Sequence, residues 1–362
     1  MAANGENQRE RMRERPRKGG KPMSKSFVNK ALLGGAVAAG AAVWAIAPRT
    51  FSDKRRNYVP SIPDVWYAHR GLHDAGSGLT AQYANESGEY VALARRMAMK
   101  AGYGSPSVTG AIAPENSLAA FAAACEAGYG IELDLQMTAD GEIVVVHDGD
   151  LMRVAGDPRR VADLTYDELT RIPLFPTDAP GAAVAAPLSG SLEKPPLVTT
   201  PDSAPDGYFQ HVPLFADVLK VVAGRVPLIV EYKFDDNSKW GPRDVELMEK
   251  GDALLQAYSG AYVIESFNPA AVNWYKENRP EVCRGQLSWW PQGEEKPSDP
   301  GALAKEYAAG ALIFDWISRP DFVAYDWHGG NSPQVRLARF MGAVPVSWTV
   351  RSRDEYAQCS DQ

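Results

Sequence analysis

The sequence is poor in cysteine. Only Cys125, Cys283 and Cys359 occur, an odd number without metal-ligand spacing, which excludes a disulfide framework and a thiolate metal site. Histidine is also scarce: His69, His73, His147, His211 and His328 are the whole set. No G-x-G-x-x-G opens a helix after an early strand, so the phosphate loop of an open dinucleotide-binding sheet is missing. Basic residues are not in excess. The net charge of −7 argues against a nucleic-acid surface covering the protein. Only one uncharged apolar run, residues 31–47, approaches membrane-spanning length, so any membrane contact rests there. The 362 residues are 45% hydrophobic and 23% charged, the proportions of a globular chain with one large domain or two ordinary ones.

Charge is unevenly placed. Residues 1–30 hold nine basic side chains and three acids, a net +6, which leaves −13 on the remainder. The run 31–47 is rich in Ala and Gly and flanked by Lys30 and Arg49. As a helix it reaches about 26 Å, slightly short of a hydrocarbon core of roughly 30 Å. Three readings stay open. One is a single-pass transmembrane helix over 31–48, with the basic tail 1–30 cytoplasmic and the acidic body extracytoplasmic. The second is a signal peptide ending near Ala45 and Ala47, which Pro48 disfavours. The third is a soluble helix. The anchor is the expected one.

From residue 65 onward, short apolar runs alternate with helical spacing. Strands are expected over 65–69, 130–136, 142–147, 227–233, 261–267, 284–289, 311–316 and 343–350. Helices are expected over 117–127, 215–222, 243–258 and 269–277. Such alternation gives a parallel sheet with helical crossovers. The length after Pro48 suits a TIM-type (β/α)8 barrel with two insertions, at about 74–112 and 173–210. The first reads as a cover over the substrate side, the second as an irregular loop.

His69 and His147 stand at the ends of predicted strands, where a barrel carries its chemistry. Glu132 and Asp134 alternate with Leu133 and so share one face of a strand. Two such carboxylates inside a barrel need a cation, a shared proton or basic partners, and an oxygen site for Mg²⁺ or Ca²⁺ meets that need. Glu231 can add a third carboxylate, with Lys233 on the same face. Gly71 permits a tight turn after Arg70. Asn116 or Ser117 caps a helix, with Glu115 at its positive end. Arg70, Lys233 and Asn116 together suit a phosphate. Two histidines, three carboxylates and two cations fit metal-assisted phosphodiester cleavage, with one histidine taking a proton from the nucleophile and the other protonating the leaving oxygen.

These residues resemble the glycerophosphodiester phosphodiesterase family. The resemblance runs through His69-Arg70-Gly71, Pro114-Glu115-Asn116-Ser117, Glu132-x-Asp134, Thr138-x-Asp140-Gly141, Val145-Val146-His147-Asp148, Glu231-x-Lys233 and Trp348-Thr349-Val350, from about residue 65 to 353. It implies a TIM-type barrel and hydrolysis of small glycerophosphodiesters to sn-glycerol 3-phosphate and an alcohol. It implies His69 and His147 as the acid–base pair, and Glu132, Asp134 and Glu231 around one divalent cation. Arg70 and Lys233 would meet the phosphate, Glu115 and Asn116 would support the site, and Trp348 would wall the glycerol side. A further helix and an eighth strand would follow Val350. Here only Ser352–Cys359 is left to begin that helix, so a barrel open between its seventh and first strands is expected. A phospholipase of the C or D type, acting on intact lipid headgroups, and a non-catalytic phosphate-binding module remain as alternatives.

Overall fold

The computed structural model describes residues 37, 39–52, 61–76, 78–79, 88–106, 108, 110–176, 211–235, 239–291 and 297–362. The chain divides into two units, Met1–Ala42 and Val43–Gln362. Every described strand belongs to the second unit.

Seven parallel strands form one sheet in the order Tyr67–Ala68, Gly130–Met137, Leu228–Tyr232, Tyr262–Ser266, Arg284–Ser288, Phe322–Asp326 and Val344–Trp348. Helices Leu118–Ala127, Phe215–Val222, Pro242–Gln256, Pro269–Asn278, Pro300–Gly310 and Pro333–Phe340 lie between them in the chain. The Gly130–Met137 strand is buried at every position, as strands covered on both faces are. The sheet curls far enough that its first strand (Tyr67, Ala68) and its last (Val344 to Trp348) line the same cavity of about 520 Å³. This is the TIM-type α/β fold. Among the described residues, no parallel strand stands between those two edges. Ser352 caps a final helix, Arg353–Cys359, through its side chain.

Two expectations about strands are corrected. Residues 311–316 do not form a strand. Leu312 is buried but has a φ of 59°, and the chain turns there into a short helix, Asp315–Ser318. Ile313 and Trp316, which made the run look like a buried strand, are exposed. The barrel strand is Phe322–Asp326, paired with Gly285–Ser288 on one side and Val344–Trp348 on the other. The 142–147 run shrinks to Ile143–Val145 and pairs antiparallel with Leu135–Met137. It is a hairpin return from the second strand and not a barrel strand, because the Asp140-Gly141 turn is too short for a crossover.

The expected anchor is also revised at its end. Ile46 and Ala47 are buried with Leu312, Val323 and Tyr325 in a cluster of the body. Arg49 is 2% exposed and reaches Asp321 at 3.4 Å, so its side chain is taken up by the body. Arg319 lies over the Trp44 ring and donates to the carbonyls of Trp44 and Ala47. No described helix is long and apolar enough to cross a membrane. Residues 31–36 and 38 of the run lie outside the described residues.

The first insertion packs as part of the body. Its helix, Gly88–Lys100, buries Ala94 and Ala98. Asp74 accepts from the backbone of Ile112 and Ala113 at 3.0 and 2.9 Å and pairs with Arg95 at 2.6 Å, which staples the two ends together. Tyr90 from this insertion lines the central cavity. Most of the second insertion, 177–210, lies outside the described residues.

Candidate active site

The sheet register builds the site. Asp134 pairs with Glu231, and Glu231 with Glu265, so three carboxylates from adjacent strands stand at one level. Glu132 lies two residues below Asp134 on the same face. One carboxylate oxygen each from Glu132, Asp134 and Glu231 falls within 4.8 Å of the others, and all three residues are buried. Lys233 Nζ lies 2.7 Å from Glu231 Oε1 and 3.3 Å from Asp134 Oδ1, one ammonium shared between two buried carboxylates.

Charge explains what this cluster needs. Among the described residues, Glu115, Glu132, Asp134, Asp148, Glu231 and Glu265 stand with the cations Arg70, Arg153 and Lys233. With neutral histidines the site carries a formal −3. Burial, then Asp134 and Glu231, hold Glu132 well above the usual carboxylate range. Burial pushes Glu231 up to about 7, against the pull of Lys233. Burial also works on Asp134, but Lys233, His147 and Arg70 outweigh it and keep this carboxyl ionised. An all-oxygen donor set of three buried carboxylates that share one lysine, with excess negative charge, fits a hard divalent cation.

Beside the carboxylates stand two strained residues. Arg70 has a φ of 59° and Asn116 a φ of 55°, left-handed backbone that costs a non-glycine residue roughly 1–3 kcal/mol. Each supports the other, since Asn116 N donates to the Arg70 carbonyl at 2.9 Å. Arg70 N donates to Glu132 at 2.9 Å, and its guanidinium donates to Glu115 at 3.2 Å. Asn116 Nδ2 donates to Asp134 at 2.8 Å. The helix cap falls to Ser117, whose hydroxyl accepts from Ala120 N. Glu115 is therefore not a helix-dipole residue; it is held by arginines. Gly71 follows at a φ of 79°, where a Cβ would sit 2.9 Å from that of Ala120.

Both expected histidines are at this site. His69 Nε2 lies 4.0 Å from Glu132. Burial and Arg70 lower its pKa, which favours neutral imidazole. His147 reaches the mouth by the hairpin: Val146 N donates to the Asp134 carbonyl at 2.9 Å. Its Nδ1 meets Asp148 at 2.7 Å, which leaves Nε2 without a hydrogen bond among the described residues. Burial and Lys233 lower its pKa, and Asp148 opposes them. Trp348 packs edge-on against Phe267 at 5.6 Å and lines the cavity beside His69, Glu132 and Glu265.

Three contributors escaped sequence reasoning. Gln136 donates to the carbonyls of Val146, His147 and Asp148, pinning the loop that carries His147. Its position two residues after Asp134 was the available signal. Glu265 reaches the carboxylate level through strand register, which sequence spacing does not reveal. Arg153 had no signal beyond its charge.

A family model for glycerophosphoryl diester phosphodiesterases matches residues 108–362. Among curated proteins, the glycerophosphodiester phosphodiesterase of Caldanaerobacter subterraneus subsp. tengcongensis is 45% identical over 60 residues, 16% of this chain and 25% of that protein. Glycerophosphodiester phosphodiesterase 1 of Bos taurus is 43% identical over 61 residues, 17% of this chain and 18% of that one. The matched stretches thus span a quarter or less of these relatives. A solved Oleispira antarctica phosphodiesterase, in complex with the product sn-glycerol-3-phosphate, shares the fold with a TM-score of 0.50 and 15% identity, over 82% of this chain and 89% of that one.

Proposed function

The chain belongs to the glycerophosphoryl diester phosphodiesterase family, and from that premise we propose that it hydrolyses glycerophosphodiesters to sn-glycerol 3-phosphate and an alcohol. The observation that carries this reading is the convergence of His69 and His147, each just past the end of a strand, on the buried Glu132–Asp134–Glu231 cluster. Arg70 and Lys233 bind the non-bridging phosphoryl oxygens as fixed cations. His69, neutral and close to the carboxylates, takes the proton of the attacking hydroxyl. His147, with Asp148 behind Nδ1, holds a proton at Nε2 for the departing alkoxide. Asn116 keeps the Asp134 carboxylate turned into the cluster, and Trp348 walls the glycerol side. A Mg²⁺ or Ca²⁺ ion held by Glu132, Asp134 and Glu231 would supply neutralisation of charge on the phosphoryl oxygens.

The test is direct. The protein should release glycerol 3-phosphate from glycerophosphocholine in Mg²⁺ or Ca²⁺ and lose that activity in EDTA. Turnover of intact phospholipid in bilayers, with none of glycerophosphocholine, would replace this reading with the phospholipase one.

Proton linkage gives an independent check. The Glu231 carboxyl sits at about 7 in the fold, against roughly 4.3 in an unfolded chain. Its stabilising contribution is complete below the unfolded value and is lost as pH rises through 7. Without divalent cation, wild-type Tm should therefore fall between about pH 4.5 and 7 more steeply than that of Glu231→Gln. Mg²⁺ or Ca²⁺ should raise wild-type Tm by a few degrees more at pH 8 than at pH 5, because the cation competes with the proton. Thermal unfolding with and without cation measures both. A wild-type Tm indifferent to divalent cations at pH 8 would contradict the metal site.

A further inference from the structure

We propose that Arg153 is a positioning residue that joins the acid histidine to the phosphate-binding arginine. The proposal rests on the function above, with His147 as the proton donor to the leaving oxygen.

The geometry is that of one guanidinium used on two edges. Nη1 and Nη2 of Arg153 donate to Glu115 Oε2 and Oε1 at 2.9 and 2.6 Å. Nε donates to Asp148 Oδ2 at 2.6 Å. The other oxygen of Asp148 meets His147 Nδ1 at 2.7 Å, while Glu115 also receives Arg70 at 3.2 and 3.3 Å. A continuous chain therefore runs His147, Asp148, Arg153, Glu115, Arg70. Only a planar fork with separate edge donors makes both contacts, so lysine is not an equivalent.

The consequences are electrostatic and orientational. Asp148 lies well below the usual carboxylate range: burial opposes this, and the His147 hydrogen bond and Arg153 overcome it. An ionised Asp148 fixes the His147 tautomer with its proton on Nδ1 when neutral and favours the imidazolium that donates from Nε2. Without Arg153, Asp148 loses its second anchor and turns toward solvent. Arg70 by contrast keeps Glu115 and Asp134, so phosphate binding should survive.

The segment carrying Arg153 is held from both insertions. Leu79 N donates to the Arg153 carbonyl and Phe175 N to the Val154 carbonyl, at 2.9 and 2.7 Å. The short helix Met152–Ala155 closes on Gly156 at a φ of 69°. This lattice fixes where the guanidinium sits, and its side chain is 13% exposed.

The experiment compares two substrates that differ only in the leaving group: glycerophosphocholine, whose alkoxide needs a proton to depart, and the p-nitrophenyl ester of glycerol phosphate, whose phenolate does not. In Arg153→Ala, kcat on the choline ester should fall about 100-fold, with KM changed by less than about threefold, and kcat on the nitrophenyl ester should fall less than about tenfold. Asp148→Asn should repeat that pattern and serves as the test if Arg153→Ala does not fold. Arg153→Lys should not rescue. Equal losses on both esters, or a loss confined to KM, or rescue by lysine, would overturn the proposal. Failure of the function itself reads separately, as a wild-type protein that turns over neither ester.

Discussion

In the Glu132→Ala/Asp134→Ala double variant, turnover of glycerophosphocholine should fall by about three orders of magnitude or more, and calorimetric binding of Mg²⁺ or Ca²⁺ should disappear. A thousandfold loss corresponds to about 4 kcal/mol of transition-state stabilisation, within what charge neutralisation on a phosphoryl group supplies. The protein should remain folded. Glu132 is buried with its carboxyl held against ionisation by burial and by Asp134, so its removal takes no charge from the ion pairs around it. Lys233 retains Glu231 at 2.7 Å, and Arg70 retains Glu115. Thermal unfolding should place the variant within a few degrees of cation-free wild type. The shape-preserving pair Glu132→Gln/Asp134→Asn should lose activity to the same extent, which separates lost charge from lost packing. Full turnover in either double variant would sink the metal-assisted mechanism.

Replacing either histidine should cost the next largest amount. His69→Ala and His147→Ala should each lower kcat by about 10²–10⁴-fold, the range for a positioned acid or base. The side chains are 30% and 27% exposed, so millimolar imidazole should restore part of the activity. The two losses should differ in kind. On the p-nitrophenyl ester, the His147→Ala defect should shrink and the His69→Ala defect should persist, because only the leaving oxygen no longer needs a proton. The double variant should be little worse than the poorer single one, since an acid and a base that act together in one transition state do not add. Steady-state kinetics on both esters checks all of this. Equal shrinkage of both defects would show the acid and base roles are not divided as assigned.

Much of the site was legible in the sequence because its elements obey short-range rules. Glu132 and Asp134 share a face by the two-residue period of a strand, and Glu231 and Lys233 follow the same rule on another strand. The turn after Arg70 needed a glycine, and Gly71 is there. Errors arose where local pattern and global packing disagree. The apolar residues of 311–316 mimic a buried strand, while the true strand, Phe322–Asp326, ends in Tyr325 and Asp326 and looked less like one. The hairpin at 143–145 resembles a barrel strand in composition but returns antiparallel after the five-residue connection 138–142.

By itself, the sequence determined the parallel α/β class and the pairing of carboxylates on strand faces, and it singled out two candidate histidines, because each follows from period, spacing or residue chemistry within a few positions. Tertiary structure alone decided the rest. Register brought Glu265 level with Asp134 and Glu231. Packing buries Ile46 and Ala47, at the end of the expected anchor, and the flanking Arg49 in the body, because the body offers them an apolar cluster and the Asp321 carboxylate. Long-range approach set Arg153 between Asp148 and Glu115, which are separated from it by 5 and 38 positions. Contacts across such separations depend on how strands align and how loops fold back, and no local pattern encodes that. The scarcity of cysteine and histidine acquires its meaning here. With three scattered cysteines and two of five histidines at the mouth of the sheet, the proposed chemistry rests on carboxylates, imidazoles and arginines that the fold brings together.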